Sequence, residues 1–417
     1  MIRAHIGIAL ACLVVATGTV VSGCAHDTSA QAPSAMTGMP LDADYSGAGQ
    51  QPGALAEANS LPTIDRRLRA ASSVAARIEY TSTSGITDGR TQVTGTVFVP
   101  KGDAPEGGWP IVAYGHATTG IESECAPSLS PTLLGTSNVV TALVNAGFVV
   151  TVPDYQGLGT DNADDGSYHP YLDSTTAGYN VIDSVKAARR LVPAASERWV
   201  AIGVSQGGQA TWAANELAET YGAGLTLLGT VSVAPAADIT GFADAAADGQ
   251  LTPEQMPALV VILETLKRAY PDFPLDDYRR GFAKDHWDKL IACDGPAAAE
   301  RATLTPQLTG EDLRPGTPQA VDTLRTHLQH MSLPHRPTTA PMLVIFGGND
   351  ALVPPAWTDR ALRAACGMGD VIDIQLQPDK GHAGIDVSSA FGWVNARFRG
   401  EPAADSCLSL APPGAPQ

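Results

Sequence analysis

The chain has 417 residues, with 26 Lys and Arg against 43 Asp and Glu, a formal net charge of −17. That balance argues against nucleic acid and an anionic membrane surface as electrostatic partners, because both repel an acidic protein, and is read as serving general solubility. The length exceeds one simple domain and suits a large core carrying an insertion.

The first residues read as a targeting segment. Arg3 supplies a short positive region, Ile6 to Val21 is apolar, and Val21-Ser22-Gly23-Cys24 resembles a bacterial lipobox. Small residues before the cysteine suit a signal peptidase, and the Cys24 thiol would take a diacylglycerol. Residues 1–23 are therefore expected to be a lipoprotein signal peptide, outside the fold. The alternative is an ordinary secretory signal cut at another small residue. Either way the mature protein is expected outside the cytoplasm. No later run approaches the roughly 20 apolar residues of a spanning helix, so the lipid would anchor the chain to the membrane without the protein crossing it. Residues 24–60 are rich in Ala, Gly, Ser, Pro, Asp and Gln. That composition predicts a disordered tether.

Residues 61–237 and 336–407 read as an α/β core. Arg77 to Thr83 and Gln92 to Val99 alternate apolar and polar residues around a Ser-, Gly- and Asp-rich turn, which predicts an antiparallel hairpin. Pro110 to Tyr114, Phe148 to Val152, Trp199 to Val204, Leu227 to Val233, Met342 to Phe346 and Val371 to Leu376 are short continuous apolar runs. A helix begins near Ser174 and carries Val181, Ile182, Val185, Ala188 and Leu191 on one face; another runs from Gln209 to Tyr221. Buried strands separated by helices predict a mostly parallel sheet covered on both faces. The spacing breaks between Ala234 and Met342. Helical patterns at Glu254 to Ala269, Asp276 to Leu290 and Pro318 to Met331 make 238–335 a helical cap over the carboxyl edge of the sheet, where open α/β sheets bind ligands. A stabilising insertion away from the site is the alternative. Residues 408–417 are expected to be a disordered tail.

Six cysteines are present. Cys12 lies in the signal and Cys24 is the lipidation candidate. Cys125, Cys293, Cys366 and Cys407 form an even set in an exported chain, which implies two disulfides among three possible pairings. No C-x-x-C spacing supports a zinc site.

The chemistry centres on Gly203-Val-Ser205-Gln-Gly207, fed by an apolar run and left by a helical one. A G-x-S-x-G turn between strand and helix presents a strained serine as a nucleophile and needs small neighbours. A serine hydroxyl requires a base, and the base an orienting carboxylate. In this class of hydrolase the acid and then the histidine follow the serine. Asp350 follows the run Met342 to Phe346 in a loop; its other reading is an Asx turn. Asp373 lies within the next strand and Asp386 after the histidine, so both are weaker. His382 follows Val371 to Leu376, in the position of the general base. An oxyanion would be met by the N–H of Gln206 and a second donor from the loop Gly115 to Gly120, His116 first and Ala117 next. His327, His330 and His335 lack a regularly spaced carboxylate, which argues against a metal. His169 either lines the pocket or caps a loop. The chemistry requires no cofactor.

Several segments together resemble the secretory lipase family of fungi and actinobacteria. They are Tyr114-Gly-His-Ala-Thr-Thr-Gly120 with Cys125-Ala-Pro-Ser128, Pro153-Asp-Tyr-Gln-Gly157-Leu-Gly159, Gly203-Val-Ser-Gln-Gly-Gly208, Gly347-Gly-Asn-Asp350 and Gly381-His382. The resemblance covers most of 61–407. It implies an α/β-hydrolase fold with a helical lid, and activity on acyl esters including triacylglycerols. It also implies a triad of Ser205, Asp350 and His382, and disulfides Cys125–Cys293 and Cys366–Cys407. The lipobox is a departure, since family members are often freely secreted. The expectation is an extracytoplasmic serine esterase or lipase acting on an acyl-ester or lipid substrate. An exported peptidase, an envelope acyltransferase and a non-catalytic surface binding protein are the rivals.

Overall fold

The computed structural model describes residues 37–160, 168–293 and 295–410. The signal segment 1–23, the lipidation candidate Cys24 and the tail from 411 onward lie outside the described residues. The strands in chain order are β1 (Leu55–Ser60), β2 (Ser72–Thr83), β3 (Arg90–Pro100), β4 (Trp109–Gly115), β5 (Val149–Pro153), β6 (Ala195–Val204), β7 (Thr226–Val233), β8 (Met342–Gly347) and β9 (Ile372–Gln377). They form one sheet in the order β1-β2-β3-β5-β4-β6-β7-β8-β9. The first three strands and β5 pair antiparallel, and every pair from β5 to β9 is parallel. The expected hairpin is β2 with β3, in a register that sets Arg77 against Thr96 and Thr83 against Arg90.

Helices α1 (Arg66–Ala71), α2 (Ser137–Asn145), α3 (Ser174–Leu191) and α4 (Gln206–Tyr221) belong to the first part of the core. Between β7 and β8 come α5 (Gly241–Ala247), α6 (Gln255–Ala269), α7 (Gly281–Asp285), α8 (Trp287–Leu290), α9 (Gly295–Leu304) and α10 (Pro318–Met331). The chain closes with α11 (Pro355–Gly367), α12 (Ser388–Phe398) and α13 (Cys407–Leu410). Alternation along the strands divides the core in two. Val112, Val150 and Val200 face α1, α2 and α12, while Ile111, Ala113 and Trp199 face α3 and α4. Both faces of β5 and β8 are thus covered, and every residue of these two strands is buried. This is the α/β-hydrolase architecture, with a helical insertion. The inserted helices have their own apolar core, including Phe242, Leu259, Ile262, Leu263, Leu324 and Leu328; it continues into Tyr171, Val353 and Trp357. Val353 and Trp357 lie just after Asp350, so the insertion packs beside the carboxyl edge.

Three expectations need correction. The tether does not extend to residue 60: Leu55–Ser60 is an edge strand with Ala54 and Leu55 fully buried, and Leu41 N–H donates to Ala58 O. Its composition is poor in large apolar groups, but an edge strand is held largely by backbone pairing, which composition does not display. The tail does not begin at 408, because Cys407–Leu410 forms a helical turn tied by Cys407 to Cys366. The pattern Asp276 to Leu290 is not one helix but a tight turn at Leu275–Asp277 followed by α7 and α8. Gly281 adopts φ 46°, and Asp312 captures the N–H groups of Arg280 and Phe282 through its carbonyl and carboxylate, which overrides the local helical pattern.

The return from the insertion to β8 is held by two adjacent residues of α4. Asn215 exchanges hydrogen bonds of 2.8 Å with Ala340 N–H and Ala340 O. The Glu216 carboxylate accepts from the N–H groups of His335 and Arg336 at 3.1 and 3.3 Å. Burial pushes the Glu216 carboxyl up to about 7; the two N–H donors work against the rise and the neighbouring Asp370 adds to it. The folded-state value therefore lies above the unfolded one. The folded chain holds a proton that the unfolded chain releases, so this stabilising contribution is full below about pH 4.5 and is lost as pH climbs through about 7. Thermal midpoints from pH 5 to 8 should accordingly fall less steeply for Glu216→Gln than for wild type, the variant gaining a few degrees relative to wild type at pH 8.

Candidate active site

The sheet order places the site. β4 is flanked by β5 on one side and β6 on the other, so successive crossovers leave in opposite directions and open a crevice beyond their carboxyl ends. Gly115 at the end of β4 lies in register with Gly203 at the end of β6. Ser205 follows β6 with φ 57° and ψ −116°, in the left-handed half of backbone space where a side chain is strained. Its backbone is over-determined: its N–H donates to Val233 O at 2.8 Å, and its carbonyl accepts from Gln209 N–H at 3.0 Å and Ala236 N–H at 3.3 Å.

The glycines of the motif are explained by contact. A Cβ on Gly203 would lie 2.0 Å from Gly207 O, one on Gly207 would lie 2.0 Å from Gly115 O, and one on Gly208 would lie 2.9 Å from Val233 O. Serine often caps a helix through its hydroxyl, but Ser205, at the N-terminus of α4, makes no such cap bond. The first N–H groups of α4, Gln206 among them, have no carbonyl four residues back to serve.

Ser205 Oγ lies 2.9 Å from His382 Nε2, and His382 Nδ1 lies 2.7 Å from Asp350 Oδ2. The proton on Nδ1 is thus directed at the carboxylate and leaves Nε2 able to accept from the hydroxyl. Asp350 is almost wholly buried, and its other oxygen accepts from the N–H groups of Leu352 and Val353 at 2.9 and 2.8 Å. One oxygen of the carboxylate thus makes the Asx-type turn while the other faces His382. The loops carrying Asp350 and His382 are joined by Asn349 N–H to Lys380 O at 2.8 Å and Gly348 N–H to Gln377 O at 2.9 Å. Glycine is required there as well, since a Cβ on Gly347 would sit 2.3 Å from Lys380 O.

The His116 ring is fully buried, with Nδ1 2.7 Å from Ala117 O and Nε2 3.2 Å from Asp154 O, and it lies against the Tyr155 ring. Asp154 in turn accepts from Ser128 N–H at 2.9 Å and Thr94 Oγ1 at 2.6 Å. Two segments far apart in sequence, Cys125 to Ser128 and Pro153 to Gly159, thus meet under the loop after β4. His169 holds the Gln206 side chain: Nδ1 donates to Gln156 O at 2.9 Å, so Nε2 accepts from Gln206 Nε2 at 2.8 Å. Burial lowers its pKa to about 3, in keeping with that neutral tautomer. The clamp on Gln206 was not readable from spacing, because the two residues come from different crossovers. Disulfides join Cys125 to Cys293 and Cys366 to Cys407. Gly120 makes room for the first, since a Cβ there would lie 2.3 Å from Cys125 Sγ. His327 packs on the Tyr270 and Phe273 rings. Among the described residues no group of three or more His, Cys, Asp or Glu side chains is gathered to hold a metal.

A cleft of about 460 Å³ opens between the loop after β4, the acid loop and the insertion, lined by Thr118, Tyr171, Val261, Leu290, Arg301 and Leu352 among others. Its volume falls in the range of roughly 300–1,000 Å³ typical of small-molecule sites.

The elbow's steric economy is testable. Gly207→Ala should force β4 and α4 apart and cut turnover of any substrate at least about a hundredfold, with displacement of catalytic groups as the cause. A kinetic comparison beside a thermal melt checks this; wild-type turnover would refute it.

A family model described as secretory lipase matches residues 132–406. No curated protein matches the sequence. Among solved structures, Candida antarctica lipase A in its closed state superposes with a TM-score of 0.68 at 14% identity, covering 86% of this chain and 85% of that one. A ligand-bound form of the rice cell wall degrading esterase LipA from Xanthomonas oryzae superposes with a TM-score of 0.63 at 19% identity, covering 86% of this chain and 97% of that one. At these identities the two structures share the fold.

Proposed function

The chain belongs to the secretory lipase family and is a carboxylic ester hydrolase; we propose that Ser205, His382 and Asp350 are the groups that cleave its acyl-ester substrate. The observation that carries this reading is the pair of contacts at His382, 2.9 Å to Ser205 Oγ and 2.7 Å to Asp350 Oδ2. Ser205 Oγ attacks the ester carbonyl while His382 Nε2 takes its proton. Asp350 holds the resulting imidazolium by accepting from Nδ1. The carbonyl oxygen becomes an oxyanion, met by the N–H of Gln206 and that of His116, with Ala117 as the alternative second donor. Collapse expels the alcohol, protonated by His382, and leaves an acyl-Ser205. Water, deprotonated by His382, then attacks the acyl carbon and releases the acid.

Triacylglycerols are the substrates this reading favours, on the strength of the family and the largely apolar lining of the cleft. The helical insertion over 238–335 acts as a cap that governs access. We further propose that the protein works outside the cytoplasm, attached to the membrane by a diacylglycerol on Cys24 once 1–23 is removed; among the described residues no helix is long and apolar enough to cross a membrane.

Ser205→Ala should lose at least about a thousandfold in kcat towards p-nitrophenyl esters; full hydrolysis by that variant refutes the assignment. The two oxygens of Asp350 can be separated. Asp350→Asn keeps an acceptor for Leu352 and Val353 and should lose activity by about 10⁴-fold at a near-native melting temperature. Asp350→Ala should lose activity and also about 1–3 kcal/mol of stability, because two N–H groups are left unpaired. Equal melting temperatures for the two variants would refute the dual role.

A further inference from the structure

Most cap arginines are matched to carboxylates. Arg268 pairs with Glu122 and Glu264, Arg279 with Asp276, Arg314 with Glu311, and Arg325 with Asp244 and Asp322. Arg280 spans the carbonyls of Asp277, Glu311 and Arg314. Arg301 differs. It projects from α9, is half-buried, and lines the 460 Å³ cleft with Tyr171, Val261, Leu290 and Leu352. Among the described residues no carboxylate or carbonyl bonds its guanidinium. Burial lowers its pKa, and among the described residues no neighbouring carboxylate counters that effect. The acidic residue on the same cleft, Glu254, is exposed and makes no ion pair with it among the described residues.

A guanidinium partly removed from water, with no partner among the described residues, can receive an anion, because its fork matches a carboxylate or phosphate with two parallel hydrogen bonds. The cleft touches the loop after β4 at Thr118, two residues beyond His116, and the loop after β8 at Leu352, whose N–H bonds Asp350; Ser205 and His382 are not in its lining. We infer that Arg301 selects the substrate, and that the cleft takes the part of an acyl ester that bears a carboxylate or phosphate, in preference to the neutral ester of the same shape. This rests on the Ser205 reading above and replaces the triacylglycerol preference given with it, since a triacylglycerol carries no anionic group for Arg301 to meet. The protein's net charge of −17 opposes an anionic substrate at long range, so the preference must come from a local group such as this one.

The test uses the purified chain and two matched pairs. One is the p-nitrophenyl half-ester of glutaric acid against p-nitrophenyl valerate, which places a carboxylate on the acyl side. The other is 1-butyrylglycerol 3-phosphate against 1-butyrylglycerol, which places a phosphate on the alcohol side. Wild type should show the higher kcat/KM for the anionic member of at least one pair, and that pair identifies which anion is read. In Arg301→Gln the anionic-to-neutral ratio should fall by roughly 10–100-fold, mainly through KM. Arg301→Lys, which keeps the charge and guards against a folding artefact, should retain part of the preference. A wild-type preference for both neutral members, or equal losses on both members in Arg301→Gln, overturns the inference while hydrolysis still depends on Ser205. Full neutral-ester hydrolysis by Ser205→Ala overturns the catalytic reading and this inference with it.

Discussion

The tightest packing around the glycines is between backbones. Strand β6, helix α4 and strand β4 cross so tightly at Gly203, Gly207 and Gly115 that two of the missing Cβ atoms would each fall 2.0 Å from a carbonyl oxygen. This approach puts three things at one point: the Ser205 hydroxyl, the unserved N–H groups at the start of α4, and the loop after β4. The positive φ of Ser205 costs on the order of 1–3 kcal/mol, and the hydrogen bonds at its N–H and carbonyl hold it there. Because the hydroxyl is turned away from the helix it precedes, it is free to meet His382.

A second crossing brings that histidine. Gly347 and Gly348 allow the loop after β8 to lie against the loop after β9, and backbone bonds from Gly348 and Asn349 lock the two together. Asp350 and His382 are therefore delivered as one unit. One oxygen of the carboxylate accepts from Leu352 and Val353 and the other faces His382, so its position does not depend on the histidine alone. Parallel strands make this economical, since each ends at the same edge and each following loop needs only a short excursion to reach the common point.

The insertion is fixed where it could most easily swing. The Cys125–Cys293 bridge, across a sequence separation of 168, ties it to the loop after β4, and Asn215 with Glu216 pins its return to β8. A bridge closing so long a loop restricts the unfolded chain strongly in the chain-entropy account. With its middle bridged, its return held and its own apolar core formed, the insertion leaves a cleft beside the loops after β4 and β8. Most of its arginines are paired with carboxylates, which makes Arg301 in the cleft wall, unmatched among the described residues, conspicuous.

Much of this was legible in the chain itself. Period-two alternation and short apolar runs predicted the β2–β3 hairpin and the parallel strands, because burial on one or both faces selects those patterns directly. The G-x-S-x-G turn, Asp350 and His382 stood out because each follows an apolar run in a short polar loop. What escaped was whatever depends on contact between distant segments. The edge strand at Leu55–Ser60 is held largely by backbone bonds and has little side-chain signature. The broken helix after Asp276 yields to Asp312, and the His169–Gln206 clamp joins two crossovers. Sequence by itself determined the layered α/β class and the residue types the chemistry needs, since local pattern reports burial and turn geometry. Only the tertiary structure decided which oxygen of Asp350 faces His382, how the loops after β4 and β9 converge on Ser205, and which cap arginine bonds neither a carboxylate nor a carbonyl among the described residues. Distance and pairing arise when the sheet closes, and no spacing along the chain encodes them.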